Sequence, residues 1–229
     1  KGTNDFVTHV DKLSEQLIVA GLSTVLPQAG FIAEENTKSN KGDVYNWVID
    51  PIDGTTNFIH GLTPFAISIA LMEHDEVVLG VVYELGLDEC FYAWKNGGSW
   101  LDGAPIYVSQ RKTVSDSLIA TGFPYTSFAQ MGKFLESLDY FMRKSHGMRR
   151  LGSAATDLAY VACGRFEAFY EYNLKPWDVA AGAVIVIEAG GRMSDFAGGN
   201  NYVFGGELVA TNHFIYDEFL NDVKSLLYN

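Results

Sequence analysis

An α+β chain, with an antiparallel β half followed by an α/β half, is predicted for these 229 residues on two observations. Between residues 65 and 94, β-rich runs succeed one another with only short polar turns between them, the pattern of a meander. Beyond residue 117, strands and helices alternate. A third observation bounds the size: at 48% hydrophobic and 19% charged the chain is ordinary globular material, enough for one large domain or two small ones. The polar stretch 111–115 is the candidate boundary, dividing residues 1–112 from 113–229.

Taken in order, Thr8-His9-Val10-Asp11 opens a helix in which Thr8 caps and Asp11 reaches back, with Leu13, Leu17 and Ala20 on one face. Residues 31–33 are an apolar strand ending in Glu34-Glu35, where adjacent acids read either as a strand meeting solvent or as ligands awaiting a partner. A polar loop, 36–43, follows. Residues 47–58 read as a buried strand whose tip breaks into a turn that starts a helix, with Pro51 keeping Asp50 extended. Strands at 65–72, 77–83 and 90–94 form the meander, and 104–108 is an edge strand after the turns Asn96-Gly97-Gly98 and Asp102-Gly103.

In the second half, 117–121 is a strand, 128–144 a helix and 148–151 a short strand. Ala155, Leu158, Ala159 and Ala162 recur at helical spacing, so 153–163 is a helix that Gly164 ends. After a strand at 166–171, Pro176-Trp177-Asp178 opens a helix that is apolar nearly all round and therefore buried on several sides, stopped by Gly190-Gly191. A strand at 207–211 and an amphipathic helix through Phe219, Leu220, Val223, Leu226 and Leu227 close the chain.

The chemistry is concentrated in Asp50-Pro51-Ile52-Asp53-Gly54-Thr55-Thr56. Two carboxylates on one rigid turn, followed by the unsatisfied N–H groups of a helix start, place a cation site beside an anion site. The plainer reading is an Asx turn and a helix cap. Asp178, in the first turn of a buried helix, has the same two readings. Yet Asp11, Glu34, Asp50, Asp53 and Asp178 all stand at element ends beside apolar runs, and a fold that gathered them would require a cation against their repulsion.

Asp50-Pro51-Ile52-Asp53-Gly54-Thr55-Thr56-Asn57-Phe58, with Glu34-Glu35 upstream and Trp177-Asp178-Val179-Ala180-Ala181-Gly182 downstream, resembles the inositol monophosphatase family of magnesium-dependent, lithium-sensitive phosphatases. The match runs from the 1–8 segment to the final helix, and three separated motifs in the right order make it specific. The resemblance implies a layered α-β-α-β-α sandwich, of the type shared by inositol monophosphatases, fructose bisphosphatases and sugar phosphatases, commonly dimeric. Residues 1–112 would carry the metal motif and 113–229 would complete the active site. It implies two or three magnesium ions per site: Glu34, Asp50 and the Ile52 carbonyl would hold the first, and Asp50, Asp53 and Asp178 the second. Glu35 has a weaker claim as an outer residue. Thr55, bonded to Asp11, would orient the attacking water with Glu34 nearby, and Gly54 and Thr55 N–H groups would hold the phosphate. Gly152, Ser153, Ala154 and Glu171 match substrate-hydroxyl contacts, together with Asp53 and Asp178, and Lys1 matches a lysine near the phosphate. Relatives carry a helix before the point that Lys1 matches, and that helix is expected in the protein, ahead of these 229 residues.

Thr56-Asn57-Phe58 resembles the inositol-phosphate branch, whereas adenosine-bisphosphate phosphatases tend to carry Lys after Asp-Gly-Thr and fructose bisphosphatases tend to read Asp-Gly-Ser-Ser-Asn. Those two activities remain alternatives. The stretches 121–125 and 174–178 look bacterial, and some bacterial relatives act on transcription as non-catalytic partners, an alternative of another class. A net charge of −12 argues against direct binding to nucleic acid or to an anionic membrane. Cys90 and Cys163 lack disulfide or zinc spacing and are expected to be reduced thiols in the cytoplasm, and the five histidines share no metal-ligand spacing and are expected to be structural or surface groups. The predicted reaction is in-line attack by water on a small polyol or sugar phosphate, without a phospho-enzyme.

Overall fold

The computed structural model describes residues 8–38, 40–124 and 130–228, and the chain folds as two β-sheets sandwiched between and around three helical layers. The first sheet takes its seven strands in chain order: β1 (Gly30–Ala33), β2 (Tyr45–Asp53), β3 (Ala66–Glu73), β4 (Glu76–Glu84), β5 (Glu89–Trp94), β6 (Ser99–Leu101) and β7 (Ala104–Ile106). β1 and β2 are parallel and every later pair is antiparallel, so the expected meander is present, with β7 at the edge. The three-residue β6 lay hidden between two turn signals.

The second sheet has five strands: β8 (Leu118–Thr121), β9 (Gly147–Arg149), β10 (Ala168–Tyr172), β11 (Arg192–Ser194) and β12 (Glu207–Thr211), ordered β11-β12-β10-β8-β9. β8 runs parallel to both β9 and β10, while β12 is antiparallel to β10 and to β11.

Helix α1 (His9–Val25) covers the outer face of the first sheet, packing Val19 and Leu22 against Phe31, Trp47 and Ile49. α2 (Thr55–Ile59) is one short turn after β2. Between the sheets lie α4 (Ala154–Ala162) and α5 (Pro176–Glu188), which meet Val48, Ala70, Val82 and Phe91 from one sheet and Phe169, Leu208 and Ala210 from the other. α5 is buried on nearly every side, as its unbroken apolar sequence requires. α3 (Met131–Lys144) and α6 (Tyr216–Val223), which continues as a π-helical turn Lys224–Tyr228, cover the far face through Phe134, Phe141 and Phe219 against Tyr170. This is the layered α-β-α-β-α sandwich. The period of two carries it: Trp47 and Ile49 face α1 while Val48 faces the central helices, and Phe169 faces inward while Tyr170 faces α3 and α6.

One sequence reading is corrected. Leu13, Leu17 and Ala20 lie on the exposed side of α1, because the helix turns Asp11, Glu15 and Val19 inward instead. Strand β2 runs through Pro51 to Asp53, with a register shift between Asp50 and Asp53, and its tip turns at Gly54 into α2 as the sequence predicts. Pro51 lies past the last β1 partner, at that irregularity, where its missing N–H costs no ladder bond. The expected helix start at 128–129 and the 1–7 segment lie outside the described residues.

Candidate active site

Every parallel strand end and central helix start converges on one cleft. Glu34 follows β1, Asp50 and Asp53 close β2, Gly122 follows β8, Arg150 follows β9 and Glu171 lies near the end of β10. Ser153 and Asp178 stand at the N-termini of α4 and α5. These residues, with Ile52, Gly54, Thr55, Gly152 and Ala154, line a cavity of about 390 Å³. Of the sequence-predicted set, Asp11 and Glu35 are not among the lining residues, and Lys1 is outside the described residues.

Local bonding fixes the acids. The Asp50 Oδ1 accepts the Ile52 N–H at 2.9 Å, which holds the carboxylate across the Pro51 bend. Asp53 Oδ2 accepts the Ser153 hydroxyl at 2.6 Å and the Ala155 N–H at 2.7 Å, tying β2 to the first turn of α4. Asp178 reaches back to the Lys175 N–H at 2.7 Å, and the Ser68 hydroxyl donates to the Trp177 carbonyl, pinning the α5 terminus to β3. Gly54 sits at φ 91°, a left-handed turn in which an added Cβ would press on the Gly152 and Pro64 carbonyls. Gly122 bears on the site through space: a Cβ there would meet the Glu171 carboxylate and force it to move.

One carboxylate oxygen from each of Asp50, Asp53 and Asp178 lies within 4.8 Å of the other two. Burial raises the Asp50 pKa well above the carboxylate range, and Glu34, Asp53 and Asp178 add repulsion. Asp178 is raised for the same reasons, burial first and then Asp53. Asp53 is pushed up to about 6 by burial, against the pull of Ser153, Ala155, the Gly54 N–H and Arg150. Three acids at such separation with no cation between them carry a repulsion that a hard divalent ion would cancel, and all-oxygen donors fit such an ion. The donor set therefore fits a divalent metal.

Thr55 Oγ1 lies 3.0 Å from both Asp11 Oδ1 and the Ile52 carbonyl. Asp11 is fully buried and also accepts the Thr8 N–H at 2.9 Å and the Thr8 hydroxyl, so it closes the expected capping box and holds Thr55 at once. Two residues went unnoticed in the sequence. Glu15, one turn beyond Asp11 and equally buried, binds the segment after Glu34; its only signal was the i, i+4 spacing from Asp11. Asp157, 1% exposed in α4, has carboxyl oxygens that find no hydrogen-bond partner among the described residues. Burial, then Glu171 and Asp53, raise its pKa well above normal, and Glu171 is itself raised by burial and by Asp178 and Asp53. The five histidines are all exposed, and the two cysteines are free thiols.

A layered sandwich whose cleft floor carries three convergent carboxylates beside helix N-termini defines a phosphatase-type hydrolase with a divalent-metal site. The chain belongs to the inositol monophosphatase family, whose model matches residues 1–227. It is 40% identical over 228 residues to the inositol-1-monophosphatase of Mesorhizobium japonicum, covering 99% of this chain and 86% of that one. It is equally 40% identical over 228 residues to the Nus factor SuhB of Escherichia coli, covering 99% and 85%. Among solved structures, the extragenic suppressor protein suhB from Bartonella henselae superimposes with a TM-score of 0.93 at 40% identity, covering 98% of this chain and 86% of that one. Family membership implies a small phosphate-ester substrate. Among the described residues, no helix is long and apolar enough to cross a membrane.

Proposed function

We propose that the protein hydrolyses small phosphate monoesters with magnesium, myo-inositol monophosphate foremost, releasing inositol and phosphate. The observation that carries this reading is the Asp50, Asp53 and Asp178 triad at the floor of a cleft sized for a small polyol phosphate. Glu34, Asp50 and the Ile52 carbonyl would hold one magnesium ion, and Asp50, Asp53 and Asp178 another. Bound there, magnesium would lower the charge of the ester, acidify a water and stabilise the departing alkoxide.

The chain's own residues supply orientation. With its proton directed to Asp11 or to Ile52, the Thr55 hydroxyl keeps lone pairs that accept from the attacking water, and Glu34 stands on the same wall. The N–H of Thr55, at a helix start, is a donor for the phosphate, while Gly54 would divide its N–H between phosphate and Asp53. Ser153, Ala154 and Glu171 line the same cleft and would contact the polyol hydroxyls. Nothing in this arrangement requires a phospho-enzyme.

The test is phosphate release from myo-inositol 1-phosphate as magnesium is titrated from zero, with fructose 1,6-bisphosphate and adenosine 3′,5′-bisphosphate in parallel. Magnesium-dependent turnover greatest on the inositol ester supports the reading, and a preference for either bisphosphate replaces it. A second reading, a non-catalytic partner in transcription, draws on the 40% identity to the protein named Nus factor SuhB. A pure scaffold has no physical need for the crowded triad, so absence of turnover on every ester by folded, magnesium-bound protein would favour it.

A further inference from the structure

Helix α1 touches the cleft without lining it. Its inward side presents Asp11, Ser14 and Glu15, and each addresses a different segment of the site: Asp11 the Thr55 hydroxyl, Ser14 the Pro51 carbonyl at 3.3 Å, and Glu15 the turn after β1. Glu15 is fully buried, and its donors all come from one short stretch. Oε2 accepts the Glu35 N–H at 2.7 Å, while Oε1 accepts the Thr37 N–H at 2.8 Å and the Thr37 hydroxyl at 2.6 Å. Those bonds span 20 and 22 residues and end on the positions just after Glu34, whose own N–H is held from the other side by the Ile49 carbonyl at 3.2 Å.

We infer that Glu15 is a positioning residue that clamps the Glu34–Thr37 turn, and that through the turn it sets the affinity of the cleft for its divalent ion. The inference rests on the proposed role of Glu34 as a metal ligand. A loop that carries a ligand must stop moving when the ion binds, and the ordering cost falls on affinity unless the loop is already fixed. A carboxylate suits the task because it only accepts, and three donors converge on it here. An amide in its place turns an N–H₂ toward one of the same donors, so Glu15→Gln breaks the clamp while nearly preserving volume. Outer groups that orient metal ligands are typically worth about 10- to 100-fold in metal affinity.

The experiment is calorimetric titration of the full chain with Mg²⁺ alone, together with hydrogen exchange at the Glu35 and Thr37 amides. Glu15→Gln should weaken Mg²⁺ binding about tenfold or more and speed exchange at both amides, with turnover largely recovered at saturating Mg²⁺. Glu84 is the control, being another fully buried carboxylate that accepts two backbone N–H groups, from Gly86 and Leu87, but lies off the cleft wall. Glu84→Gln should lower stability and leave the Mg²⁺ affinity alone. If Glu15→Gln lowers stability in the same way, with Mg²⁺ affinity and amide exchange unchanged, the residue is merely structural and the inference is overturned. Should that variant fail to fold, Thr37→Ala removes one of the three bonds and must weaken Mg²⁺ binding by a smaller factor; no change there overturns the inference as well. Wild-type protein that binds Mg²⁺ but turns over no ester would end the phosphatase reading while leaving this comparison decisive.

Discussion

Two sets of buried carboxylates lie on opposite sides of strand β2, and their surroundings differ. On the α1 side, Asp11 and Glu15 are fully enclosed yet saturated: each takes hydrogen bonds from backbone N–H groups and hydroxyls of nearby turns. On the cleft side, Asp50, Asp53 and Asp178 crowd together; burial lifts all three pKa values, and repulsion from neighbouring acids lifts those of Asp50 and Asp178 further. Burial alone therefore does not mark a functional acid. What distinguishes the floor is charge left uncompensated by the protein itself, the condition under which a buried carboxylate either takes a proton or takes a cation.

The comparison is broken most directly at Asp53. Asp53→Asn should cost on the order of 10³ or more in turnover while the fold persists, since a preorganised charge is lost and the Ser153 and Ala155 donors keep an oxygen to bond. Near-normal phosphate release by this variant would refute the metal role.

Next in size is the linkage of metal, protons and stability. Because the floor acids have raised pKa values, the metal-free fold binds protons more tightly than the unfolded chain, where an Asp titrates near ~3.9. That stabilisation is complete below the unfolded value and is lost as pH rises through the folded values, about 6 for Asp53 and raised likewise for Asp50 and Asp178. The melting temperature of metal-free protein should fall over this range more steeply than that of Asp53→Asn. A fixed Mg²⁺ concentration, about a hundredfold above the Kd at pH 8, should restore about 2.7 kcal/mol at pH 8 and much less at pH 5, where protons compete for the acids and raise the Kd. Equal rescue at both values would contradict the assignment.

Smaller effects sharpen the other side. Glu84→Ala leaves the Gly86 and Leu87 N–H groups without their acceptor and should cost about 1–3 kcal/mol in denaturant unfolding, with turnover unchanged. Ser153→Ala removes both an Asp53 donor and the cap of α4, so about 1 kcal/mol of stability should go together with roughly tenfold in rate. A stability loss without a rate loss would place Ser153 with the saturated acids rather than with the floor.

Alternation and capping made most elements legible in the sequence: the meander, the buried α5, the Thr8 cap and the acidic motifs all depend on residues within a turn or two of one another. The motifs also single out Glu34, Asp50, Asp53 and Asp178 without reference to any contact between them. Their meeting within one cleft is a tertiary fact, for Asp53 reaches Ser153 across 100 residues and Ser68 reaches Trp177 across 109. The face of α1 was decided there too. Hydrophobic spacing pointed to Leu13 and Leu17, yet the helix buries Asp11 and Glu15, because turns from distant segments offer hydrogen bonds whose loss inside the protein would outweigh the exposure of two leucines. Local pattern sets which elements form, and long-range satisfaction of buried polar groups sets which way they turn.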